Sequence, residues 1–191
     1  MSRAPRQRLF IAVDVPAAEL AAVDEAVTEL RARLPPPLGR WAPPENRHVT
    51  LKFLGATDAD KVPPVGESIR EVAARRAPAP VALQGLGAFP SARRARVLWV
   101  GLSDPTGLLA NLAGDLDQAL EPLGFPIEKR AFTPHLTLAR LRPAVRLELP
   151  PEVPAGTPFD IAEVNLFRSH LHPRGARYEL LDVFPLEGRD A

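Results

Sequence analysis

The chain is predicted to fold as an α+β protein of antiparallel sheet with helices on its outer faces, arranged as two pseudo-symmetric lobes with a cleft between them. Three observations predict this. Helical and strand periodicities are interspersed, but the strands come in pairs compatible with hairpins, which disfavours a doubly wound parallel sheet. One tetrapeptide, His-x-Thr-Leu, occurs twice, 87 residues apart, each time on a strand-like alternation that follows a helix-like segment. With 191 residues, the chain is also long enough to bury roughly 70% of its unfolded surface without a disulfide or structural metal. Residues 1–191 are therefore read as a single domain built from two duplicated lobes.

Arg8 to Val13 (RLFIAV) reads as a strand. Pro16 opens a helix with Leu20, Val23, Val27, Leu30 and Leu34 on one face, and Pro35-Pro36-Pro37 stops it. After a Trp41–Pro44 loop, His48 to Leu54 alternates with period two, and Gly55 ends that strand. A second helix is expected from about Pro63 to Arg75, with Val65, Ile69 and Val72 inward, followed by strands near Val81–Phe89 and Arg96–Leu102. Ser103-Asp104-Pro105 reads as a cap with proline at a first helical position, leading into a helix with Leu109, Leu112, Leu116 and Leu120 buried. His135 to Ala139 is the second alternating strand. A proline-rich connection covers Pro143 to Pro158, and strands Phe159–Phe167 and Tyr178–Phe184 are joined through a Pro173-Arg174-Gly175 turn.

Composition excludes several chemistries. There is no cysteine, so zinc ribbons, iron–sulfur clusters, thiol catalysis and disulfide scaffolds are ruled out. A formal net charge of +1 gives no general affinity for polyanions, so nucleic-acid binding requires a local patch. The basic N-terminus, Met1 to Arg8, is followed by too short an apolar run for an export signal, and no stretch reaches the roughly 18 apolar residues of a membrane span. A cytoplasmic, monomeric protein without membrane attachment is expected. Of the 24 basic residues only Lys52, Lys61 and Lys129 are lysines, and there are 23 prolines; coding bias accounts for both without a functional reading.

The two motifs are His48-Val49-Thr50-Leu51 and His135-Leu136-Thr137-Leu138. The chain has only four histidines, and the odds that two of them would begin the same pattern by chance are of order 10⁻⁴. On a strand, residues i and i+2 share a face. Each histidine thus shares its face with its threonine, while Val49, Leu51, Leu136 and Leu138 point into the cores. Lys52 extends the first polar row, and Ala139 the second. Two lobes facing one another bring together two imidazoles and two hydroxyls, without a carboxylate pair, thiol or metal cage. In-line substitution at phosphorus needs a base on one side, an acid on the other, and donors for the charged equatorial oxygens between them. An unperturbed imidazole near 6.5 supplies either role near neutral pH, and threonine hydroxyls supply the donors.

At these residues the chain resembles the 2H phosphoesterases, and among them the RNA 2′,3′-cyclic phosphodiesterases also called 2′-5′ RNA ligases. The resemblance runs through Arg8-Leu9-Phe10-Ile11-Ala12, Asn46 to Gly55, Val97 to Leu102, Phe132 to Arg140 and the tail Ser169 to Leu186. It implies metal- and cofactor-independent opening of an RNA 2′,3′-cyclic phosphate end to a 2′-phosphomonoester, with tRNA fragments as a natural substrate. It also implies reversible ligation when an RNA 5′-hydroxyl replaces water. The family pattern makes His48 the proton donor and His135 the base, although the two near-equivalent motifs do not themselves separate the roles. Thr50 and Thr137 are expected to contact substrate, joined by Lys52.

Arg140 matches a family position that contacts phosphate. Strict alternation from His135 puts it on the wrong face, so that role requires a bulge or a strand end after Leu138. Phe10 matches a family aromatic able to stack a base, against a core role for a first-strand phenylalanine. Arg93, Arg94 and Arg96 read as a solvated charge run, and Trp41 and Trp99 as packing residues. His170-Leu171-His172 has two potential ligands but no third, and reads as an exposed turn. Two rival functions are turnover of a small cyclic phosphate, such as ADP-ribose 1″,2″-cyclic phosphate or a cyclic nucleotide, and non-catalytic binding of RNA ends. Comparing turnover of an oligonucleotide and a mononucleotide separates the first rival; two intact motifs argue against the second.

Overall fold

A computed structural model of the chain describes residues 6–33, 39–149, 156–173 and 175–188. Pro35-Pro36-Pro37, part of the proline-rich connection and Arg174 of the expected turn lie outside the described residues. The strands are β1 (Gln7–Asp14), β2 (Gly39–Trp41), β3 (His48–Thr57), β4 (Ala79–Phe89), β5 (Ala95–Ser103), β6 (His135–Val145), β7 (Phe159–Ile161), β8 (Glu163–His172) and β9 (Gly175–Pro185). The helices are α1 (Ala17–Arg33), α2 (Val62–Ala74) and α3 (Leu108–Leu120).

The fold is α+β, as expected. All strand pairs are antiparallel, in the order β7-β4-β5-β6-β3-β1-β8-β9, with β2 pairing β6. The two halves are not separate sheets, because the pair Val49↔Leu136 joins β3 to β6 at the centre. Helix formation follows apolar spacing. Val23, Val27 and Leu30 of α1, Val65, Ile69 and Val72 of α2, and Leu109, Leu112, Leu116 and Leu120 of α3 are buried in one continuous core.

Several boundaries differ from the sequence expectation. Strand β3 runs through Gly55 to Thr57, and β6 passes Pro143 to reach Val145. Trp41 belongs to β2 rather than to a loop, and the expected strand Phe159–Phe167 is divided into β7 and β8. Pro105 is not a first helical residue. Asp104 turns through Gly107, whose φ of +71° favours glycine. The Asp104 carboxylate then accepts the Leu109 and Ala110 N–H groups at 2.9 and 3.2 Å, compensating the open donors of the first turn.

The β1–β3 and β5–β6 pairings share one register at the 87-residue offset. Asp14↔His48, Ala12↔Thr50, Ile11↔Lys52 and Phe10↔Phe53 correspond to Gly101↔His135, Trp99↔Thr137, Leu98↔Ala139 and Val97↔Arg140. Both ladders slip by one residue just after the threonine. This bulge turns Leu51 and Lys52, and likewise Leu138 and Ala139, toward the buried face, and it returns Phe53 and Arg140 to the face of the histidines.

Candidate active site

His48 and His135 are the first residues of β3 and β6, and both line one cleft of about 2710 Å³ with Thr50 and Thr137. All four are half-buried. Each imidazole rests on aromatic rings. His48 stacks on Phe10 at 4.7 Å and 25° and takes the Tyr178 ring edge-on at 5.1 Å. His135 meets Phe89 edge-on at 5.0 Å and Trp99 at 5.9 Å.

Those apolar surroundings set the electrostatics. Burial pushes His48 down from 6.5 to about 4, because an imidazolium loses hydration there. His135 is also lowered by burial, against a bond to the Thr133 carbonyl that raises it, and the Arg140 charge lowers it further. The expectation of unperturbed imidazoles is therefore corrected: both rings favour the neutral form. The His135 Nδ1 lies 2.7 Å from the Thr133 oxygen. A carbonyl only accepts, so Nδ1–H donates and Nε2 of the neutral ring is left as the proton acceptor.

Arg140 is on the histidine face, carried there by the bulge after Leu138. Its charge acts on His135 in one half of the sheet and on Tyr178 in the other. Lys52 departs from the sequence expectation, and Phe10 takes the core role rather than that of a base-stacking platform. Lys52 is 7% exposed, and its ammonium pairs with Asp117 of α3 and donates to the Pro126 carbonyl at 2.9 Å. The bulge has turned it from the polar row into a tie between β3 and the segment after α3. Phe10 is 2% exposed, with His48 on it and Phe167 stacked at 5.2 Å, so no ring face is left for a base. Its place in the site is as the floor beneath His48.

Sequence reasoning passed over Phe53 and Tyr178. Phe53 is 66% exposed on the cleft and occupies the β3 position that Arg140 occupies in β6. The signal was available, since both residues follow their histidine by five positions and one bulge argument covers both. Tyr178 has no comparable local pattern; the long-range β8–β9 pairing brings it to His48. His170 contacts the Glu179 carboxylate at 2.6 Å and is exposed, like His172.

Paired histidine–threonine rows and cationic side chains around one cleft define the class of a phosphoester-processing protein. The sequence matches the family described as LigT like Phosphoesterase over residues 13–99 and again over residues 100–178, and the chain belongs to that family. Relatives named RNA 2′,3′-cyclic phosphodiesterase include one from Geobacillus stearothermophilus, 33% identical over 96% of this chain and 58% of its own length. Another, from Methanothermobacter thermautotrophicus, is 31% identical over 94% of this chain and 98% of its own length. The chain thus spans a little over half of the first of these relatives and nearly all of the second. Among solved structures, TT0787 of Thermus thermophilus matches with a TM-score of 0.84 at 32% identity, covering 95% of this chain and 98% of that one. E. coli LigT complexed with 3′-AMP matches with a TM-score of 0.78 at 30% identity, covering 95% and 98%.

Proposed function

We propose that this phosphoesterase hydrolyses RNA 2′,3′-cyclic phosphate ends to 2′-phosphomonoesters by a metal-independent two-histidine mechanism, with 2′-5′ ligation as its reversible counterpart. The carrying observation is that two register-equivalent strands present His48 and His135 to one cleft. Water attacks phosphorus and passes a proton to His135 Nε2, which the Thr133 carbonyl leaves free to accept it. The P–O3′ bond breaks, and His48 as imidazolium protonates the departing oxygen. Thr50 and Thr137 donate to the equatorial oxygens, Arg140 balances their charge, and Phe53 offers a face to the terminal base. Double coverage by one family model, together with the shared register, supports a single domain made by duplicating one lobe. No helix among the described residues is long and apolar enough to cross a membrane; we place the enzyme in the cytoplasm as a monomer acting on RNA ends such as tRNA fragments.

The test is an RNA oligonucleotide with a 2′,3′-cyclic end, incubated in EDTA and followed by ³¹P NMR. A 2′-phosphate product at undiminished rate is expected, because the cleft offers imidazole, hydroxyl and guanidinium groups, and no three His, Cys, Asp or Glu side chains cluster among the described residues. A 3′-phosphate product would reject the assignment of the leaving oxygen. Activity lost on chelation and restored by one divalent ion would reject metal independence.

The lowered histidines also fix a pH dependence. As base, His135 is lost when pH falls through its depressed value, so the acidic limb of kcat/KM lies below 6.5. As acid, His48 is protonated in the free enzyme only toward about 4, so kcat/KM declines toward neutral pH. The two limbs are macroscopic values of the pair. A bound phosphodiester anion favours imidazolium, so kcat should peak at a higher pH than kcat/KM. Coincident maxima at or above neutrality would exclude a desolvated His48 as the acid.

A further inference from the structure

The cleft carries a charge imbalance that the whole chain lacks. Eight cationic and three acidic side chains line it, against 24 and 23 in the full sequence. Two of the cations oppose one another directly. Strand β2 is a three-residue strap laid along β6, and its register places Arg40 opposite Arg140. Cross-strand partners have Cβ atoms about 5 Å apart on one face, where like charges are destabilising. Arg40 therefore shares the face of Arg140, and so that of the histidines.

The strap is held there by backbone. Ala42 N–H donates at 2.8 Å to the carbonyl of Leu138, the bulged residue. Gly39, at a φ of +147°, lies so close that an added Cβ would stand 2.1 Å from the Arg140 oxygen. Arg40 Nη2 donates to the Pro173 carbonyl at 3.0 Å, which orients the guanidinium without neutralising it. The adjacent Trp41 packs on the core, with Arg31 over its ring at 4.9 Å. The fold thus roots two arginines at facing positions of one sheet face, an arrangement that a polyanionic strand running past both would stabilise. The cleft, at about 2710 Å³, also exceeds the roughly 300–1,000 Å³ of a small-ligand pocket, leaving room for more than a terminal nucleotide.

We propose that Arg40, beside Arg140 on the histidine face, extends the site by a second anion position, which takes the adjoining internal phosphodiester of an RNA strand whose cyclic end lies at His48 and His135 with Arg140 on the cyclic phosphate. The subsite rests on the phosphodiesterase reading and adds to it a preference for chains over mononucleotides, through a residue that the two His-x-Thr motifs do not contain.

The experiment compares kcat/KM of wild type, Arg40→Gln and Arg40→Lys on a short RNA ending in a 2′,3′-cyclic phosphate and on a 2′,3′-cyclic mononucleotide. Wild type should favour the oligonucleotide, and Arg40→Gln should reduce that preference about tenfold, the effect of one charge-assisted contact. The slope of log kcat/KM against log salt on the oligonucleotide should fall by about 0.7, the value for one phosphate contact on a single strand. Arg40→Lys keeps the charge and should restore the slope. If Arg40 only ties the strap to Pro173, its loss will lower both substrates alike with the slope unchanged, and the subsite is rejected while the phosphodiesterase reading stands. Wild type that turns over neither substrate rejects that reading, and the subsite with it.

Discussion

Replacing His48 or His135 with alanine should lower the hydrolysis rate on a cyclic-phosphate RNA end by roughly 10²–10⁴-fold, the usual contribution of a positioned acid or base. The double variant should be little slower than either single variant, because once one proton transfer is lost the other has no concerted partner. The two should differ in structure. His135 is fixed by the Thr133 carbonyl, whereas His48 fills a place among Phe10, Phe167 and Tyr178, so His48→Ala also loosens packing. His48→Gln separates the two effects by keeping most of the volume. Near-wild-type turnover in any of these variants, measured with circular dichroism confirming the fold, would remove that histidine from the mechanism.

Phe10→Ala should destabilise the protein by about 3–5 kcal/mol, the range for deleting a buried phenyl group. The ring is almost wholly enclosed and touches His48, Phe53, Phe167 and Tyr178, so its loss opens a cavity that four aromatic neighbours must relax into. The midpoint of urea unfolding should fall with little change in slope, and residual activity should show a more basic optimum as water reaches His48. Phe10→Leu, which refills much of the space, should recover most of the stability. A Phe10→Ala protein as stable as wild type would mean that the floor beneath His48 is not part of the core.

How far the sequence could be read depended on how local each signal was. The helices and the two histidine strands were legible because apolar spacing and period-two alternation lie within a dozen residues. The repeated tetrapeptide, set on two alternating strands in lobes expected to face one another, pointed to the cleft. What escaped was set by register. Simple alternation placed Lys52 in the polar row, and one extra residue in each ladder turned it to the core and lifted Phe53 out. Applying the bulge invoked for Arg140 to both copies would have exchanged those two assignments. Phe10 was ambiguous because its burial depends on β8 and β9, more than 150 residues away. The strap escaped because three residues carry too little pattern to show that they pair with a strand 100 positions later.

The seam between β3 and β6 has a mechanical consequence. A sheet resists bending through its ladder of hydrogen bonds, and here one residue pair, Val49↔Leu136, forms that ladder at the centre. Stiffness across the molecule must then come from elsewhere: from α2 packed against α3, and from Lys52 and Lys61, whose ammonium groups hold the carbonyls of Pro126 and Leu123. These members stand away from the seam like struts across a joint, so the two halves are braced by side chains as well as by the sheet. Asp117→Asn, which weakens the Lys52 tie, should therefore loosen the join between the two halves of the sheet and lower the midpoint of urea unfolding, with both His-x-Thr motifs untouched.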